Sequence, residues 1–186
     1  MDDTGDGDAT TVSTMRATAH PVRLRILSLL TGAELSAAEV ARELGITHAN
    51  ASYHLRTLAD AGLVVEAGET KIRGGVAKRY RHPWDSEALM HAPVSPEDSD
   101  RYIRVMAQEM VRRFGHRKGG GAKGNLTDAE LWVPQDVYER VNAMVHEASL
   151  LLHGEARPPR TAGTVPVAMT AALFPLESDT AEEHGR

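Results

Sequence analysis

The chain has 186 residues, no cysteine and a formal net charge of −5. That length allows one large domain, or a small domain with an accessory one, and supports a core without metal or disulfide staples. Absent thiols exclude disulfides, thiolate zinc sites and cysteine nucleophiles, and no apolar run approaches the ~20 residues of a membrane span. The first 20 residues lack the apolar centre of a secretory signal, so a cytoplasmic protein with no membrane partner is expected.

Residues 1–8 are small and acidic, which predicts a disordered tail. From Ala9 to Ala19, the positions Val12, Met15 and Ala19 share a helical face and predict a first helix. His20-Pro21 resets the chain, because proline suits the first position of a new helix. Val22, Ile26, Leu29 and Leu30 then form a stripe that Gly32 ends. Ser36-Ala37-Ala38-Glu39 has the form of a capping box, with Val40, Ala41 and Leu44 following on one face and Gly45 as the stop. Two residues on, Thr47 can cap another helix that carries Ala51, Leu55 and Leu58 inward and ends at Gly62. Two short helices joined by a tight glycine turn predict a helix-turn-helix. Leu63 to Val65 and Val76 to Tyr80 read as strands, and the polar stretch Gly68 to Gly75 between them reads as the loop of a wing.

Beyond Trp84 the composition shifts. A helix is expected from Pro96, with Ile103, Met106, Met110 and Phe114 on its apolar side. Gly115 to Gly124 is a glycine-rich basic loop, and Leu126 to Val133 looks extended. Pro134 opens the longest amphipathic helix, striped by Val137, Val141, Met144, Val145, Ala148, Leu151 and Leu152. Val165 to Phe174 alternates as a strand does, and a loose tail follows at 177–186. The fold class expected is mainly α with small β (α+β): a winged helix-turn-helix domain at 9–83 and a C-terminal α/β extension at 84–176.

Charge is unevenly spread. Residues 10–83 hold ten Lys/Arg against six Asp/Glu, whereas residues 84–186 hold eleven against sixteen. A basic module inside an acidic chain is a phosphate-binding pattern. With Ala51, Leu55 and Leu58 inward, the helix of residues 47–61 leaves His48, Asn50, Ser52, Tyr53 and Arg56 on its outer side. Asparagine pairs bidentately with adenine, and Ser, Tyr and Arg reach bases or phosphates, so this face suits a major groove. The bland alternative is a solvated helix face. Lys71, Arg73, Lys78, Arg79 and Arg81 place five bases in eleven residues with no acid among them, which suits a wing on the backbone or minor groove. Double-stranded DNA is the partner this combination predicts.

The runs His20 to Leu27, Val40 to Ile46 and Ser52 to Val64 together resemble the ArsR-type winged-helix regulators, over about residues 10–82. The resemblance implies a homodimer that binds a palindromic operator and represses transcription until an inducer arrives. It also implies DNA-facing roles for Ser52, Tyr53 and Arg56 and a structural role for His54. Many such regulators sense metal through a cysteine pair, which this chain lacks. His146 and His153 share a helix face, but two turns (about 10.5 Å of rise) separate them too far for one ion, so no metal site is expected. The segment after the wing resembles the α/β extensions of some relatives.

Dimerisation is the simplest task for the second half, with the first helix and the helix from Pro96 to Phe114 as candidate seam. Trp84, Trp132, Met110 and Met144 are candidates to line a pocket for a small-molecule effector, against the simpler reading of core packing. No motif for phosphate cradling, zinc hydrolysis or a serine nucleophile is present, so neither enzyme activity nor a cofactor is expected. The competing reading is a winged helix that contacts protein and not DNA.

Overall fold

The structure, a computed structural model, describes residues 14, 16–72, 75–85, 96–119 and 124–177. Val12 and Met15 of the expected first helix lie outside the described residues, as does Arg73. Residues 14 and 16–18 are helical, and Ala17 is buried in the core.

Helix α1 (Pro21–Thr31) begins where His20 Nδ1 accepts a hydrogen bond from the Val22 amide at 3.2 Å, with proline inside the first turn. Its buried face is Ile26, Leu27 and Leu30. Strand β1 (Leu35–Ser36) runs straight into helix α2 (Ala37–Leu44). The capping box is complete: the Glu39 amide donates to Ser36 Oγ at 3.4 Å, and the Ser36 amide donates to Glu39 Oε2 at 2.8 Å. Gly45 closes α2 at φ 65°, a left-handed conformation that glycine adopts without a Cβ penalty. Helix α3 (His48–Asp60) follows, with Thr47 Oγ1 accepting from the Asn50 amide at 3.2 Å. Ala51, His54, Leu55 and Leu58 of α3 close on Val40 and Ala41 of α2 and on the α1 face, forming one apolar core with Leu63 and Val64.

Strands β2 (Val65–Ile72) and β3 (Gly75–Arg81) form an antiparallel hairpin, and β1 adds to the far side of β3, giving the order β1-β3-β2. The hairpin differs from the sequence expectation. Its ladder continues through Thr70↔Ala77, Lys71↔Val76 and Ile72↔Gly75, where a polar loop was expected, while Leu63 and Val64 form a buried link before the strand. Neither face of the projecting ribbon is covered, so nothing imposes apolar alternation on it. At the base, the His82 amide donates to the Leu30 carbonyl at 3.1 Å, and His82 Nδ1 lies 2.7 Å from the Leu63 carbonyl. The wing is thereby fastened to α1 and to the end of α3.

Helices α4 (Pro96–Gly115) and α5 (Gln135–Gly154) make up the second half. The buried face of α4 is not the expected one. Ile103, Met110 and Phe114 are about half exposed, whereas Asp98, Val105 and Glu109 are buried. Ion pairs make this possible: Arg16 reaches Asp98 at 3.4 Å, and Arg112 reaches Glu109 at 2.7 Å. A buried carboxylate is tolerated when a cation and hydrogen bonds replace its water. The expected α/β character of residues 84–176 is corrected as well. Their described residues beyond Trp84 form two helices and no strand; Leu126 to Val133 and Val165 to Phe174 have no regular structure and join no sheet. Alternation makes a ribbon amphipathic, but a strand also needs a neighbour for its backbone N–H and C=O groups.

The stretch after α5 touches the helix-turn-helix. Arg160 pairs with Glu43 of α2, and a Cβ added at Gly32 would stand 2.8 Å from the Arg157 carbonyl oxygen. No helix among the described residues is long and apolar enough to cross a membrane.

Candidate nucleic-acid interface

The site is built on α3, a rigid rod because both its start and its inner face are fixed. Thr47 caps it, and Ala51, Leu55 and Leu58 are at most 1% exposed. At 3.6 residues per turn, that inner face leaves His48, Asn50, Tyr53 and Arg56 exposed, with Ser52 half-buried at the edge. Tyr53 is 57% exposed, a large aromatic side chain standing mostly outside the core. Arg56 Nε donates to the Ser52 carbonyl at 3.4 Å, which holds the guanidinium stem along the helix.

The wing cations divide into two groups. Lys71 is exposed on β2 near the tip, opposite Val76. Lys78 is exposed but bound to Glu66 at 2.6 Å, and Glu69 is its cross-strand partner. Arg79 turns back: it lies 3.3 Å from Glu39 of the capping box and donates to the Glu34 carbonyl. Arg79 therefore braces the wing against α2, and Glu39 serves two structural tasks at once. The Ser36 amide, the Ser36 hydroxyl and the cations of Arg79 and Arg42 hold the Glu39 carboxyl below its ordinary range, against the opposing effect of burial. Arg81 is exposed at the strand end. The sequence reading missed these acidic partners because Glu66 and Glu39 lie 12 and 40 positions away.

Beneath α3, His54 packs its ring 4.6 Å from that of His20, and Tyr53 meets it edge-on at 5.3 Å. Burial lowers the pKa of both histidines, and Arg23 adds to the effect. His54 Nδ1 is buried without a hydrogen-bond partner among the described residues. A lowered native pKa means that the unfolded chain binds more protons just below the ordinary value of 6.5. Stability should therefore fall as pH drops below about 6.5 and level off below the native pKa values. Thermal melts between pH 7.5 and 5.0 should show this fall, and a His54→Gln variant should show a shallower one. Identical slopes would exclude His54 as a source of it.

A cavity of about 680 Å³ lies between α1, α4, α5 and residues 169–171. Leu24, Leu27, Met106 and Leu150 give it apolar walls, while Tyr102, Glu109 and Arg113 add polar groups. Burial pushes the Tyr102 phenol up. Of the four residues proposed to line a pocket, Trp84 does so, against His153 at 5.5 Å between ring centres. Trp132, Met110 and Met144 are exposed and serve neither as pocket nor as core. Among the described residues, no group of three or more His, Asp or Glu could hold a metal ion.

Residues 18–67 match the family described as helix-turn-helix domain. Among solved structures, the chain is similar to an ArsR-like transcriptional regulator from Rhodococcus sp. RHA1, at 26% identity over 58% of this chain and 89% of that one, with a TM-score of 0.35. It is also similar to a homodimeric winged helix-turn-helix DNA-binding domain from Mycobacterium bovis, a fragment of a possible ArsR-family transcriptional regulator. There the identity is 24%, over 63% of this chain and 100% of that one, with a TM-score of 0.38. No curated protein matches the chain.

Proposed function

We propose, starting from the winged helix-turn-helix domain that this chain carries, that it is an ArsR-like, DNA-binding transcriptional regulator acting in the cytoplasm. In this reading it is a homodimeric repressor whose α3 enters the major groove at each half of a palindromic operator. The observation that carries the reading is the outer face of α3: a capped rod, immobilised from behind, presenting His48, Asn50, Tyr53 and Arg56 to solvent. Ser52 contacts the groove edge. Lys71 and Arg73 reach phosphates or the minor groove, and Lys78 and Arg79 add charge at the shoulder while still bound to their own carboxylates.

A protein-binding winged helix would not need cations at its tip, and salt separates the two readings. Each phosphate neutralised releases condensed counterions, so log K falls with log salt by ~0.9 per contact. Titration of arbitrary duplex DNA from 50 to 300 mM salt should give a steep negative slope. Replacing Lys71 and Arg73 by alanine should flatten it by about 1.8 and weaken all sequences alike. Affinity indifferent to salt would defeat the DNA reading.

A second reading concerns control. The cavity between α1, α4 and α5 touches both halves of the molecule, which favours a regulator whose DNA affinity responds to a small molecule bound there.

A further inference from the structure

Helix α5 has no buried residue, although one side carries Val141, Met144, Leu151 and Leu152. From Leu126 to Leu176, fifteen large apolar side chains are exposed, Trp132 at 91%, Leu126 at 81% and Val165 at 77%. The stretches flanking α5 share this character. Val165, Pro166, Val167, Ala168 and Met169, then Ala171, Ala172, Leu173 and Phe174, form a nearly continuous apolar run, and Leu131, Trp132 and Val133 do the same before the helix. A short, nearly continuous apolar run is consistent with a strand covered on both faces. Among the described residues, neither stretch is in a sheet.

A protein that stays monomeric rarely exposes a contiguous apolar patch above a few hundred Å². Summed over α5 and the stretches beside it, fifteen such side chains present on the order of 1,000 Å², comparable with the ~800 Å² per partner that a stable interface buries. The charge pattern selects the occupant. Residues 164–176 contain no Asp, Glu, Lys or Arg, so a charged partner would find nothing there to pair with, whereas an identical neutral ribbon fits without penalty. We propose that a second copy of this chain covers this surface. The 164–176 stretch of each copy pairs as a strand with its counterpart across a two-fold axis, and the α5 stripes meet beneath the ribbon so formed. This moves the dimer seam from the first helix and α4 to the carboxy-terminal half. It locates the dimer of the preceding reading but rests on its own observations and would survive a failure of DNA binding.

The test is made on the full chain without DNA. Light scattering coupled to gel filtration, at micromolar concentration, should give about twice the chain mass of 20.2 kDa. The double substitution Leu151→Glu and Val167→Glu should halve that mass and leave the far-ultraviolet circular dichroism unchanged, because both side chains are exposed in the single copy. In wild-type protein, hydrogen exchange at the amides of 165–174 should slow at least tenfold between dilute and concentrated samples. A monomeric wild type, or a doubly substituted chain that stays dimeric, overturns the proposal. Should the variant unfold, exchange at 165–174 that is indifferent to concentration overturns it instead.

Discussion

Replacing Leu55 with alanine is expected to lower the unfolding free energy by about 3 kcal/mol, within the 2–5 kcal/mol seen for buried leucines. Leu55 is 1% exposed at the centre of the core, between Ala51 and Leu58 on α3 and facing the α1 and α2 side chains. Truncation removes its transfer energy and leaves a void that three capped helices cannot collapse into, since their ends are held by His20, Ser36 and Thr47. Against a total stability of some 5–15 kcal/mol for a domain, this is a large fraction. Urea unfolding followed by circular dichroism measures it. A loss under 1 kcal/mol would mean that α3 does not rest on this core.

The outer face of the same helix should behave in the opposite way. Tyr53→Ala and Arg56→Ala should each change stability by less than about 0.5 kcal/mol, as exposed positions do, while weakening operator binding by about 1–3 kcal/mol, roughly 5- to 150-fold. The operator can be obtained by mapping the genomic DNA that wild-type protein retains, and fluorescence anisotropy then compares the variants. Arg56 is expected to discriminate between base sequences. Lys71 is expected not to. Unchanged affinity in both α3 variants would remove this helix as the reading element.

The first half of the fold was legible because its instructions are local. Ser36 with Glu39, Gly45, Thr47 and Pro21 each act within a turn of the chain, so residue type and spacing suffice to place three helices and the turn between two of them. The outward residues of α3 followed from its inward ones. Legibility ended where a residue's state depends on a distant partner. Asp98 looks like a surface residue on any hydropathy scale; it is buried where Arg16, 82 positions away, comes to it. Strand β1 is two residues long, too short to leave a pattern. The wing ribbon runs further than expected because solvent on both sides sets no apolar period. The strand expected from Val165 to Phe174 meets no neighbouring strand within one copy of the chain.

Gly32 sits where the end of α1 meets the backbone at Arg157, with no space for even one methyl group. Because this abutment is main chain against main chain, nothing there can yield by turning a side chain. A displacement of the carboxy-terminal half would press directly on the helix that carries the core beneath α3. A wedge at this position, such as Gly32→Ala, thus offers a mechanical dial: it would alter how firmly the two halves seat on one another without altering any residue on the outer face of α3.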